Sequence, residues 1–191
     1  MIDTFSGSSK GGLDLSSFTD RMIGAAALNP AAYEEVEADT GATGQAMGVV
    51  FLSSVAAGIG SVGIGAGGFR GVVVGGIAAL ISWVFWASLT YLIGTRLLPE
   101  PQTRADVGEL MRTLGFAQSP GLVRILGVIP GLGPVVLFIV SVWMLVAMVT
   151  AVRQALDFTS TLRAVGVCLV GWVLSLVISL VFILLFGSAS I

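Results

Sequence analysis

Residues 114–129 read LGFAQSPGLVRILGVI, and whether this stretch crosses a membrane decides the parity of the whole fold. A helix needs about 20 apolar residues to traverse the hydrocarbon. This stretch is shorter and holds Arg124, so alone it fits a re-entrant or interfacial helix as well as a span. Its surroundings leave no doubt about the solvent. On either side lie long, almost uncharged runs: residues 45–66, QAMGVVFLSSVAAGIGSVGIGA; residues 71–98, with Trp83, Trp86 and Tyr91; residues 134–152, PVVLFIVSVWMLVAMVTAV; and residues 162–187, LRAVGVCLVGWVLSLVISLVFILLFG. Each is long enough to be a transmembrane helix.

Charge distribution separates the two threadings, because short cytoplasmic loops carry the excess of Lys and Arg. If residues 114–129 cross, one side collects Lys10, Arg21, Arg96, Arg104, Arg112, Arg153 and Arg163, and the other receives Arg70. If they do not cross, Arg153 and Arg163 change sides and the segregation weakens. The reading is therefore an all-α integral membrane bundle of five transmembrane helices, the third short, with the N-terminus cytoplasmic and the C-terminus outside the cell membrane. PGLGP at 130–134 then forms a tight hairpin between the third and fourth spans, its prolines unable to continue a helix and its glycines free to take positive φ.

Composition agrees with a membrane environment. Of 191 residues, 55% are hydrophobic and only 10% charged, where a soluble domain carries about a quarter charged residues; the mean hydropathy is +1.00. The formal net charge of −2 conceals an acidic group, Glu34, Glu35, Glu37 and Asp39, ahead of the first span. No basic stripe interleaved with aromatics points to nucleic acid. Histidine is absent, which removes the commonest metal and haem ligand. The single cysteine, Cys168, sits in an apolar run as a small core or lipid-facing residue.

The polar pieces read as helices on the cytoplasmic side. Residues 1–44 form a polar tail with short amphipathic helices, and residues 188–191 a short C-terminal tail. Ser17 and Asp20 make a capping box, with Asp20 and Arg21 facing water; Asn29-Pro30 starts a second helix, AAYEEVEAD, as N-cap and first-turn proline, lying at the surface near the membrane. Thr103 and Asp106 make another box. Val107, Leu110, Met111 and Leu114 follow as an apolar stripe opposite Arg104, Glu109 and Arg112, which fits an interfacial helix or an N-terminal extension of the third span.

Catalytic chemistry finds no foothold. The acidic run lacks EF-hand spacing, and GIGSVGIG at 58–65 has no preceding strand to make it a nucleotide loop. Gly63, Gly67, Gly71 and Gly75 repeat every four residues, a packing ridge if one helix carries them all. The joint GAGGFRG at 65–71 cuts that ridge with a turn. Ser175 and Ser179 lie one turn apart, placed to bond across helices or back to their own carbonyls. Arg124 is the candidate intramembrane polar residue, since a charge in a span is costly and often paired, with Asp157 and Glu109 as candidate partners.

The order of these parts, NPAAYEEVEAD before the first span, the joint LPEPQTRADVGELMRTLGFAQSPG, then GVIPGLGP, Trp143, and AVRQALDFTSTLRAV leading into the last span, resembles a bacterial member of the Yip (Ypt-interacting protein) domain family. The resemblance covers roughly residues 18–187. It implies a five-span helical membrane protein with a cytoplasmic N-terminus and brings no catalytic residues or cofactors. Eukaryotic relatives are associated with Rab-type GTPases and vesicle membranes; the short tail here has no long cytoplasmic domain for such recruitment. The expected function is a non-enzymatic scaffold or accessory subunit whose partners are lipids, other membrane proteins and conceivably copies of itself, with Trp83, Trp86, Trp143 and Trp172 as packing or interfacial anchors. A channel or small-solute permease using Arg124 and the Gly-rich first two helices is the alternative.

Overall fold

A computed structural model describes residues 15–62 and 69–186, and among the described residues the chain is all helical. Two short helices, α1 (Leu15–Ala26) and α2 (Pro30–Ala38), precede α3 (Thr43–Val62) and α4 (Phe69–Leu92); α5 (Val107–Phe116), α6 (Gly133–Ala155) and α7 (Thr161–Phe186) follow. Four helical stretches among the described residues are long and apolar enough to cross a membrane: Thr40–Val62, Val72–Leu97, Gly133–Ala155 and Thr161–Ile178. These match the four expected long spans. The tails at 1–14 and 187–191, and most of the Gly-rich joint at 65–71 with Gly63 and Gly67 of the proposed ridge, lie outside the described residues.

The segment 114–129 is built differently from the helix expected there. Its first residues complete α5, and Ser119–Val128 form a ten-residue 3-10 helix. This helix lies backbone to backbone on α3. A Cβ added to Gly115 would stand 2.7 Å from the Ala46 Cβ, one on Gly121 would strike the Ser53 hydroxyl, and one on Gly60 would strike the Arg124 carbonyl oxygen. The matched pairs run in the same order along both chains. From Ala46 to Gly60, α3 rises about 21 Å at ~1.5 Å per residue. The partner, from Gly115 to Gly127, covers that distance in twelve residues, most of them in a 3-10 helix that rises ~2.0 Å per residue. A 3-10 helix thus runs further alongside α3 than an α-helix of the same residue count would.

The register defines two ends. At the near end stand α2, the 98–106 connection and the α6–α7 joint; at the far end stand Val62 and the turn at 130–132, where Gly131 takes φ +84 as the PGLGP motif requires. Local chemistry fixes the boundaries. Asn29 Oδ1 accepts from the Ala31 amide, with Pro30 in the first turn of α2. Asp106 and Glu109 exchange side-chain and backbone hydrogen bonds of 2.9 and 2.7 Å at the start of α5. The box thus falls one step later than the expected Thr103–Asp106 pair; Thr103 Oγ1 accepts from the Glu100 amide instead. Helix α1 already begins at Leu15, so Ser17 and Asp20 lie inside it and not at its start. After α6, the Asp157 amide donates to the Gln154 carbonyl and the Phe158 amide to the Arg153 carbonyl. With Asp157 at φ 54, this is a Schellman ending in which aspartate occupies the left-handed position usually held by glycine.

Burial corrects two further expectations. Helix α2 is no loose surface element, because Tyr33 and Val36 are fully buried, with the Tyr33 hydroxyl donating to the Ala25 carbonyl at 2.9 Å. Helix α5 is not interfacial: Leu110, Arg112, Thr113, Leu114 and Phe116 are all buried, since α2 covers the face that the sequence pattern assigned to water. Trp83 donates to the Met111 carbonyl at 3.0 Å and Trp143 to the Ala26 carbonyl at 2.7 Å, while Trp172 is 51% exposed. Two of the four expected anchors therefore tie helices together. Ser175 Oγ is buried without a partner and makes neither bond foreseen for it.

Candidate functional site

The near end carries a recess of about 470 Å³ lined by Glu34, Glu37, Ala38, Glu109, Arg153, Gln154, Asp157 and Phe158. Three elements build it. Helix α2 contributes Glu34 and Glu37, three residues apart and so on one face. The first turn of α5 contributes Glu109, held by its cap, and the end of α6 contributes Arg153, Gln154 and the left-handed Asp157. Gln154 Nε2 donates to Glu34 Oε1 at 2.9 Å, and Arg153 Nε donates to the Phe158 carbonyl at 3.3 Å.

Arg112 locks α2 against this wall. Its side chain is 5% exposed, and Nε donates to the Val36 and Glu37 carbonyls at 3.0 Å each, with Nη2 also donating to Glu37 O. These are the carbonyls that a helix C-terminus leaves without partners, and a cation there also meets the negative end of the helix dipole. Glu37 bears the electrostatic consequence of the crowding. Burial first, then the Glu109, Asp157 and Glu34 carboxylates, push its carboxyl up to about 7, against the opposing pull of Arg112. The recess can therefore hold or release one proton near neutral pH.

Two further networks brace the same end. Glu100, 8% exposed, accepts from the Thr159 amide at 3.0 Å and hydroxyl at 2.9 Å and pairs with Arg163 Nε at 3.3 Å. The Thr159 amide bond, outweighing desolvation, holds its carboxyl below the usual glutamate range, with help from the Thr159 hydroxyl, Gln102 and Arg163. Arg21 pairs with Glu35 at 2.8 Å and Asp39 at 2.9 Å and donates to Gln45 at 2.9 Å, tying α1 to α2 and α3. It was expected in water, yet its side chain is only 11% exposed.

Of the residues singled out from sequence, Glu109 and Asp157 meet in the recess, and Arg124 does not join them. Its carbonyl packs on Gly60 at the far end, and its Nε is buried without a hydrogen-bond partner. Neither proposed acidic partner reaches it. Sequence reasoning missed Glu37, Arg112 and Glu100 as organising groups. The signal for Arg112 was present in the unbroken buried-type run that follows it, Thr113 to Ala117, which a helix with one wet face would not show. Among the described residues no group of three or more His, Cys, Asp or Glu side chains is placed to hold a metal ion.

Long apolar helices exposing aliphatic side chains to lipid, with polar contacts gathered at one end, define a multi-pass helical membrane protein. The Yip1 domain matches residues 26–184, and the chain belongs to that family. Neither a curated protein nor a solved structure matches it.

Proposed function

We propose that this protein is a non-enzymatic membrane scaffold or accessory subunit that crosses the cell membrane five times, with the near end in the cytoplasm. The observation that carries the reading is the unpartnered apolar surface of two helices. On α4, Ile77 and Ile81 are 56% and 66% exposed; on α7, Val173 and Leu176 are 60% and 69% exposed. Helix α7 buries Ala164, Val167, Cys168 and Gly171, and leaves most of its other described side chains open. Such faces need lipid or another membrane helix, whereas the near end is rigidly cross-braced and offers a fixed polar surface to a soluble or membrane partner.

The five-pass threading is supported by the 3-10 helix tracking α3 from Ala46 to Gly60, and by Arg21, Arg96, Arg104, Arg112, Arg153 and Arg163 falling at or beside near-end elements. The channel reading gains no comparable support. Gly58 and Gly60, in the Gly-rich first span, are closed over by Val72 and the Arg124 backbone.

Two measurements test the proposal. Reporter fusions at each terminus of the full chain are expected to report opposite compartments; reports from the same compartment overturn the threading. Purification in mild detergent, with quantitative mass spectrometry of what stays bound, is expected to return a membrane protein or lipid at fixed stoichiometry. A bare monomer that supports solute flux in liposomes overturns the scaffold role.

A further inference from the structure

We infer that Arg124 anchors a lipid site at the far end of the bundle, taking the phosphate of an anionic phospholipid whose acyl chains lie over Ile125, Leu126, Val128 and Ile129. This rests on the membrane-spanning fold, and it is independent of the scaffold role and of which leaflet faces the far end.

The first support is charge balance. Between residues 40 and 99, between 110 and 156, and from 158 to the end, the chain contains no Asp or Glu. Every described carboxylate stands in α1, in α2 or at its C-cap, in the connection into α5 or its first turn, or in the α6–α7 joint. From Glu109 to Arg124 the chain climbs six α-helical and then some nine further residues, mostly 3-10, on the order of 25 Å. No described acid lies within reach of Arg124 over such a distance.

The second is the state of the side chain. Arg124 is half-buried with its Nε shut from solvent and lacking an acceptor, and it makes no ion pair among the described residues. An unpaired guanidinium at membrane depth is costly, and pairing with an anion removes much of that cost. Among the described residues nothing supplies that anion, which a lipid head group would.

The third is what surrounds it. Ile125, Leu126, Val128, Ile129 and, beyond the turn, Leu132 are all 43–48% exposed, and every one is aliphatic. One cation set among exposed aliphatic side chains complements an amphiphile with an anionic head and apolar tails. Among the described residues a free phosphate would find one charge, whereas a lipid would also find the aliphatic surface around it. The Arg124 carbonyl, sealed against Gly60, holds the backbone so that the side chain stays at a constant depth.

The full chain, purified in detergent, is titrated with dioleoyl phosphatidylglycerol and, separately, dioleoyl phosphatidylcholine, and bound lipid is counted by native mass spectrometry. Arg124→Leu is expected to lose about fivefold in phosphatidylglycerol affinity, the size of one arginine acting on an anionic head group, with phosphatidylcholine binding unchanged. Arg124→Lys, which keeps the charge, is expected to retain most of it. Arg124→Gln replaces the leucine chain if that one fails to give a monodisperse, wild-type-like helical spectrum. Phosphatidylglycerol affinity unchanged on loss of the charge overturns the inference. So does glycerol 3-phosphate competing as well as the lipid itself, since the site would then read phosphate without the membrane.

Discussion

Arg112→Met is the most direct test of how the near end is held. The substitution keeps an unbranched stem in the same buried slot and removes every donor that reaches the Val36 and Glu37 carbonyls. It also removes the pull of Arg112 on the Glu37 carboxyl, which can answer by keeping its proton, so the main cost comes from the acceptors. A hydrogen bond from a charged donor contributes about 1.5–3 kcal/mol. Two carbonyls at the end of α2 lose such a donor, and water reaches them only once α2 lifts. The docking of α2 should weaken by about 3 kcal/mol, roughly a hundredfold in its local opening constant. Hydrogen exchange of the α2 amides in detergent reads that constant directly, because local openings exchange independently of the global transition. The expected result is about a hundredfold faster exchange over residues 34–38, with the interior of α3 and α6 unchanged. Arg112→Lys, retaining a cation but not the planar fork that reaches both carbonyls, should fall between. Acceleration of less than tenfold in Arg112→Met, or equal acceleration throughout α3, would refute the assignment of Arg112 as the clamp on α2.

Glu37 makes stability depend on pH in a definite direction. Its carboxyl is raised from 4.5 to about 7, so between those values the folded chain keeps a proton that the unfolded chain has released, and stability falls as pH rises through the window before levelling off above about 7. The group is half-buried, so solvent screening reduces the effect to about 1–2 kcal/mol; Glu37→Gln should flatten the melting temperature between pH 5 and 7.5, and a slope unchanged in the variant would contradict the assignment. Gly121→Val places a side chain into Ser53 and 3.2 Å from Met144 Sδ, where rigid packing leaves it nowhere to go; detergent melting should fall by several degrees, against little change for Gly75→Val, whose position has open space around it. Asp157→Gly relieves the left-handed residue at φ 54 and removes one carboxylate facing Glu37, so it should stabilise the fold by about 1 kcal/mol and lower the pH midpoint of the Glu37 transition, whereas Asp157→Ala should lower the midpoint without the stabilisation.

The long helices were legible because a run of some 20 apolar residues has few alternatives in water or lipid, and because Asn29-Pro30 marks the start of α2 by local chemistry alone. The form of residues 119–128 was not, since sequence periodicity assumes an α-helical rise. Nothing in SPGLVRILGV announces that Gly121 will close on Ser53 and Gly127 on Gly60 in a 3-10 helix. Arg112 was misread for a different reason. A helical wheel assigns one wet face and one dry face, and it cannot know that α2, some 75 residues earlier, folds back over the wet one. The recess was invisible on the same ground, because Glu37, Glu109 and Asp157 are brought together only by tertiary contact, while each alone reads as an ordinary solvated acid.

These contacts divide the labour of the fold along the membrane normal. Within lipid, apolar side chains gain little by leaving one another, so helices associate through close van der Waals approach and a few hydrogen bonds. Gly60, Gly115 and Gly121 supply that approach for α3 and the 3-10 helix, and Trp83 and Trp143 add bonds from ring to backbone. At the near end the geometry is fixed instead by Arg21, Arg112 and Arg163, each joining segments distant in sequence. Helix α7 takes part in the ionic bracing through Arg163 but in little of the close packing, with Trp86 Nε1 and Ser175 Oγ left without partners where α4 and α7 meet. The α4–α7 side is therefore the least committed part of the bundle. A second membrane helix could pack on its exposed aliphatic surface while the near end kept its shape.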